Sequence, residues 1–380
     1  MRTLGVIAGA GEFPRLLIQG ARRAGVRVVC IGVRGAVDRR LADMCDAFAA
    51  FRAGSLEAPL EFARRHGVQD LVLSGQVKPA SIFTLWPDAT CRRLLAQLER
   101  RNAHTIFGLL CSFLEQQGFR VLDSTTYMQE HLPAAGLLAG PEPTPEQRET
   151  MENGMRLARH IARLDIGQSL MVQGSRVTAV EAFKGTNECI RSGGNRPAPA
   201  TLCKVTKPGH DMRFDVPCIG LGTVQNCLAA NVNHIAFQAR KTFLLQREQV
   251  LELCNLHGIT LQAVDLPEEP AAPLARVQDD AAHARLMAHE LERLGIGHSA
   301  VVCDGVVIAV EDPDGPAKCI RRAGEYMRRL RLARLFGWLL GVLTGSGGSR
   351  PAPVVMAGTP AFSPTPAERR AAKRAGIQIR

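Results

Sequence analysis

The chain has 380 residues and a net charge of +11, from 47 Lys and Arg against 36 Asp and Glu, with 46% hydrophobic and 5% aromatic residues. Its length exceeds one ordinary domain and predicts two or three, each able to bury a core. Residues 321–380 hold twelve Lys and Arg against two acidic residues, so the remainder is close to neutral. A body without a basic, aromatic-rich groove excludes nucleic acid as a partner.

Eleven cysteines, none in a C-x-x-C pair, lie mostly in apolar runs such as RVVCIGV, the pattern of reduced thiols and not of a zinc site. The N-terminus enters an apolar strand directly, without a signal-peptide pattern, and no apolar run is long enough to span a bilayer. A cytoplasmic protein is expected.

Thr3 to Ala8 reads as a strand that turns at GAGEFP into an amphipathic helix ending near Gly25. Gly9 and Gly11 are placed to bring backbone N–H groups to a phosphate, with a packing turn as the alternative. Pro14 stands where a dinucleotide fingerprint has its third glycine, and Arg34 ends the next strand where a nicotinamide site needs an acid, so that cofactor is not expected. The strand DLVLSG, 70–75, leads into QVKP and puts Lys78 at a strand's C-terminal end, the edge at which such sheets gather ligands. Alternating strands and helices predict a Rossmann-like parallel sheet over 1–134, and AGLLAGPEPTPEQ reads as a linker.

A second α/β domain is expected over 148–264. The helix ENGMRLARHIARL precedes two strands joined at Gly174-Ser175, with Gln168 before the first and Glu181 closing the second, followed by KGTN with Thr186. Then comes KPGHDMRFDVPCIG, 207–220, in which Pro and Gly exclude a helix. Alternation predicts a short strand with Asp211, Arg213 and Asp215 on one face, the two carboxylates roughly 13 Å apart if it is straight. Either the chain bends there or the carboxylates do separate work; an exposed hairpin with solvated charges is the alternative.

This loop, with LDIGQS at 164–169, AVEAFKGTN at 179–187 and the N-terminal IAGAGEFP and SGQVKP, resembles the LpxI family of UDP-2,3-diacylglucosamine pyrophosphatases in lipid A synthesis. The likeness runs to about Val264. It implies hydrolysis of the diphosphate to UMP and 2,3-diacylglucosamine 1-phosphate, with Mg²⁺ as cofactor. Asp215 is expected as the central acid with Asp211 assisting, both as metal ligands, and Lys207, Arg213, Gln168, Glu181 and Thr186 as substrate contacts. Two departures stand out: RNAH at 101–104 in place of an acidic turn, and Lys184 and Asn187 in place of the acids of the family's EGTD. They motivate a second reading, a non-catalytic relative that binds a sugar nucleotide or scaffolds at the membrane.

Residues Leu294 to Gly324 match Leu164 to Gly194 in 14 of 31 positions without gaps, so 279–380 is expected to be a degenerate partial repeat of the second domain. VVMAGTPAF near the end could copy HIAFQARKTF. The repeat has no KPGHDMRFDVP; in its place stands EYMRRLRLARLFGWLLGVL, whose arginines at 328, 329, 331 and 334 and Trp338 suit an anionic membrane surface, or else a packed helix. The expected partners are therefore the UDP-linked diacylated aminosugar and, peripherally, the inner membrane; self-association as a homodimer is allowed.

Overall fold

The computed structural model describes residues 2–76, 87–98, 103–207, 209–268, 279–328 and 354–380. Lys78 and the LFGWLLGVL run lie outside them. Two compact units result: one joins residues 1–131 to the short stretch 210–216, and the other holds the rest.

The first unit is built on β1 (Thr3–Ala8), β2 (Arg27–Val33), β3 (Ala47–Phe51), β4 (Asp70–Ser74) and β5 (Arg120–Val121), paired in parallel in the order β3-β2-β1-β4-β5. β4 is buried throughout and β1 nearly so, as a sheet covered on both faces requires. The crossovers run through α1 (Phe13–Arg23), with Pro14 in its first turn, and α2 (Glu57–Arg65). Two helices follow between β4 and β5: α3 (Ala89–Leu95), capped by Asp88, and α4 (Ala103–Gln116). Strand order reverses between β1 and β4, so the end of β1 lies at the point where open α/β sheets leave a crevice.

The second unit contains a six-stranded sheet in the order β6-β13-β11-β9-β7-β8. Its elements are β6 (Gly136–Ala139), α5 (Pro145–Arg163), the hairpin β7 (Ser169–Gln173) and β8 (Arg176–Val180), α6 (Thr186–Gly193), β9 (Ala200–Lys204), β10 (Cys218–Ile219), α7 (Leu221–Ala229), β11 (Val232–Gln238), β12 (Phe243–Leu244), α8 (Arg247–His257) and β13 (Thr260–Val264). AGLLAG is therefore not linker: β6 pairs antiparallel with β13, and only the proline run after it is loop. α5 opens with a capping box in which Thr144 and Gln147 satisfy each other's backbone N–H groups.

A four-stranded sheet follows, formed by β14 (Ser299–Cys303), β15 (Val306–Val310), β16 (Val354–Gly358) and β17 (Ile377–Ile379), with α9 (Asp280–Arg293) before it, helical residues 316–328 (α10) after β15, and α11 (Pro366–Ala375) before β17. Its order, β15-β14-β16-β17, repeats β8-β7-β9-β11, with the same antiparallel, antiparallel and parallel pairings. The register fixes the correspondence: Ser169 faces Lys204, and Ser299 faces Gly358. β16 is thus the counterpart of β9, not of β11 as the sequence comparison suggested. RPAP precedes both strands, at 196–199 and 350–353. The counterpart of the KPGHDMRFDVP loop is then the short stretch after β16, and EYMRRLRLARLFGWLLGVL is an insertion ahead of it.

Both copies of the half-domain lie in the second compact unit. Met155, Ile161, Leu170 and Val172 share one hydrophobic core with Met287, Leu291, Ala300 and Val302. The backbone carbonyl of Glu181 passes so close to Gly167 that a Cβ there would lie 2.1 Å from it, and Glu311 does the same to Gly297 at 2.4 Å. Only glycine fits the I-G-x-S turn in either copy.

Candidate functional site

In the first unit, residues 210–216 form a turn and not the predicted strand. Asp211 Oδ1 accepts from the N–H of Arg213 at 3.1 Å, and Asp215 N–H reaches back to Asp211 O at 3.3 Å. Among the described residues no strand pairs with the segment, and an aspartate that caps the backbone two residues on offers it a local alternative. Ser124 ties it down: its N–H donates to Met212 O at 2.9 Å and its Oγ lies 2.7 Å from Arg213 O. Phe214 stacks on Phe107, ring centroids 5.9 Å apart, and joins the core of the first unit. The chain bends, so the two aspartates are not held apart by a straight strand.

Their surroundings differ. Arg213 grips Asp211 through Nε at 2.9 Å and Nη2 at 2.7 Å, and its Nη1 donates to Glu115 at 2.7 Å. Those partners raise the guanidinium's proton affinity further against the opposing effect of burial. Asp215 is 52% exposed, and its carboxylate lies 3.4 Å from His210 Nε2. Because that nitrogen also meets the Asp215 carbonyl at 2.5 Å, Nε2 carries the proton, and the buried Nδ1 has no partner among the described residues. His210 is a site residue that sequence reasoning passed over, though it sits inside the quoted motif.

Gly9 and Gly11 sit at the end of β1. Gly9 donates its N–H to Ser74 O and Ala10 its own to Gln76 O, both at 2.8 Å, and a Cβ on Gly9 would meet Gln76 O at 2.5 Å. Close packing accounts for Gly9, whose N–H is already used and cannot cradle phosphate. Gly11, at φ +95°, supplies the left-handed turn into α1.

The second unit assembles another cluster. Ser169 and Lys204 face each other across the β7–β9 ladder, and Lys204, only 6% exposed, donates to Thr186 Oγ1 at 2.8 Å and to Ser169 Oγ at 3.3 Å. Thr186, in the first turn of α6, passes a hydrogen bond to Glu181 at 3.2 Å. A buried ammonium beside the positive end of a helix needs a nearby anion, and Glu181 is that group. Sequence reasoning found Glu181 and Thr186 but missed Lys204, whose signal, a lone lysine inside the apolar strand ATLCK, was present. The repeat keeps Ser299 and Glu311, which bond directly at 2.5 Å, but has Pro316 and Gly358 where the first copy has Thr186 and Lys204.

Lys207 is paired with Asp165 at 2.6 Å, and Gln168 accepts the Val205 N–H on its carbonyl at 2.8 Å. Lys184 forms an ion pair with Glu325 of the repeat, while Phe183 packs edge-on against Tyr326. An acid at position 184, as in the family's EGTD, would face Glu325, which accounts for the departure.

Among the described residues no group of three or more His, Cys, Asp or Glu is placed to hold a metal ion, and no helix is long and apolar enough to cross a membrane. Both carboxylate oxygens of Asp211 already accept from Arg213. A single exposed carboxylate, Asp215, fits a Mg²⁺ that takes its other ligands from substrate phosphates and water.

Comparison with known proteins agrees across both units. The family model described as the LpxI N-terminal domain matches residues 3–131, and that of the LpxI C-terminal domain matches twice, at 134–262 and 269–336. The UDP-2,3-diacylglucosamine pyrophosphatase LpxI of Caulobacter vibrioides (strain ATCC 19089 / CIP 103742 / CB 15) is 28% identical over 284 residues, which cover 71% of this chain and all of the relative. Among solved structures, the biotin carboxylase domain of a thermophilic 2-oxoglutarate carboxylase is 12% identical with a TM-score of 0.22, covering 46% of this chain and 30% of its own. Glycinamide-RNase-transformylase T from Mycobacterium tuberculosis is 14% identical at 0.18, covering 48% and 44%. Scores that low carry nothing about fold or function.

Proposed function

We propose, since the chain belongs to the LpxI family, that it hydrolyses the pyrophosphate bond of UDP-2,3-diacylglucosamine to UMP and 2,3-diacylglucosamine 1-phosphate in lipid A synthesis. The observation that carries this reading is the match of family models to both units, together with an exposed carboxylate, Asp215, on a tightly tied turn.

Asp215 orients and deprotonates a water, whose oxygen bonds to the sugar-side phosphorus as the bond from that phosphorus to the bridging oxygen breaks and UMP departs. Asp211 is reassigned from metal ligand to positioning residue: it holds Arg213 and the turn. Arg213, on the same turn as Asp215, exchanges part of its carboxylate contacts for the diphosphate. When bound through Asp215, Mg²⁺ would neutralise charge on the diphosphate. The acyl chains bring the reaction to the cytoplasmic face of a membrane, where the arginines at 328, 329, 331 and 334 add attraction to anionic lipid of about 1 kcal/mol each in favourable cases.

The test incubates the purified full chain with UDP-2,3-diacylglucosamine and Mg²⁺ and follows UMP and the sugar phosphate. Substrate binding without UMP release would establish the non-catalytic reading instead. Co-sedimentation with anionic vesicles should weaken as salt rises; binding indifferent to salt would remove the arginines from the account.

A further inference from the structure

The two copies of the half-domain meet through equivalent positions. Leu170 and Ala300, Val172 and Val302, and Val180 and Val310 are three pairs of aligned residues, and all six lie in one core. Contact of a surface with its own counterpart is how two identical subunits associate about a two-fold axis. The rim obeys the same symmetry. Lys184 pairs with Glu325, and Arg196 lies 3.5 Å from Asp314. Positions 184 and 314 are aligned, while Glu325 is the first residue beyond Gly324 and Arg196 the second beyond its counterpart Gly194. One kind of contact is therefore made twice, once on each side of the axis.

The charges in these contacts are sorted by copy. The first copy is positive at both places, Lys184 and Arg196, and the second is negative at both, Asp314 and Glu325. Pairing unlike copies gives two attractive contacts. Pairing first copies from two chains would set Lys184 against Arg196 twice, and pairing second copies would set Asp314 against Glu325 twice. Lys184 and Asp314 are only 20% and 13% exposed, so like charges there are poorly screened. Neighbours within each copy, Glu188 at 4.0 Å from Lys184 and Lys318 at 2.8 Å from Asp314, soften the contrast without changing its sign pattern.

We infer that the C-terminal copy acts as a covalently attached second subunit, on a face whose charges select pairing within the chain and reject pairing between chains. The homodimer allowed by the sequence is then disfavoured on this face. The pseudo-dimer carries one Lys204–Thr186–Glu181 cluster, because its second half has lost the lysine and the threonine.

The test uses the full chain in four forms: unchanged, Lys184→Glu, Glu325→Lys, and both. Light scattering should give the unchanged protein the 41.1 kDa mass of one chain. Each single reversal should lower the melting temperature by about 2–3 °C, and the double reversal should recover most of the loss. Additive losses in the double variant would overturn the charge selection. A dimer that dissociates on Lys184→Glu would show the face pairing between chains and overturn the inference altogether.

Discussion

Lys204 Nζ lies 2.8 Å from Thr186 Oγ1, a contact made by a strand residue 18 positions beyond the helix residue that receives it. Through Thr186 the buried ammonium is coupled to Glu181, and Ser169 closes the cluster. The repeat shows what the framework needs without it: serine and glutamate alone fill the same place.

Lys204→Met tests whether the cation is there for function. Removing a buried ammonium relieves its desolvation but leaves Glu181 without a compensating charge, so the two effects on stability oppose each other. The expected result is a melting temperature within about 3 °C of the parent and UMP release reduced at least about tenfold, an effect of charge removal comparable to losing one preorganised donor. An unchanged rate would reduce Lys204 to a packing residue.

Asp215→Asn keeps size and removes the charge. Because the side chain is half exposed, stability should move by no more than about 0.5 kcal/mol. Loss of the base should lower kcat by about 10²- to 10⁴-fold with little change in substrate affinity. A near-normal rate would take the central role away from Asp215.

Arg213→Lys separates two uses of the guanidinium. Lysine keeps the charge but cannot span both oxygens of Asp211 while also reaching Glu115. The expected outcome is a loss of about 1–2 kcal/mol in stability, together with easier proteolysis at 210–216. If only KM rose, Arg213 would be a phosphate contact with no part in building the turn.

The Lys184–Glu325 pair should respond to acid. The hydrogen bond from Lys184 holds the Glu325 carboxyl below its ordinary value. A depressed folded-state value means that the stabilisation is present above the unfolded carboxyl's pKa, about 4.3, and disappears as pH falls through the lower folded value. Glu325 is more than a third exposed, so solvent screens much of the effect. Melting curves of the parent and Glu325→Gln should differ at pH 6 and converge towards pH 3; a gap that stays constant would mean the carboxylate's charge is irrelevant.

Local pattern was enough to establish part of this protein. The parallel sheet of the first unit follows from apolar runs at strand length alternating with helices, and the hairpin at Gly174 and the glycine of I-G-x-S are dictated by backbone constraints that one residue type meets. Repetition is legible in 14 of 31 positions, and the second RPAP marks β16 as the counterpart of β9. The rest depended on partners distant in sequence. AGLLAG becomes a strand only because β13, more than a hundred residues later, offers it an edge. DMRFD, which has the alternation of a strand, folds around the Asp211 carboxylate and Ser124 instead. Lys204 reaches Thr186 through a ladder register, and Lys184 meets Glu325 across 141 positions. Side-chain period specifies which face is buried; which residues meet across that face is decided by register and packing, which only the folded chain contains.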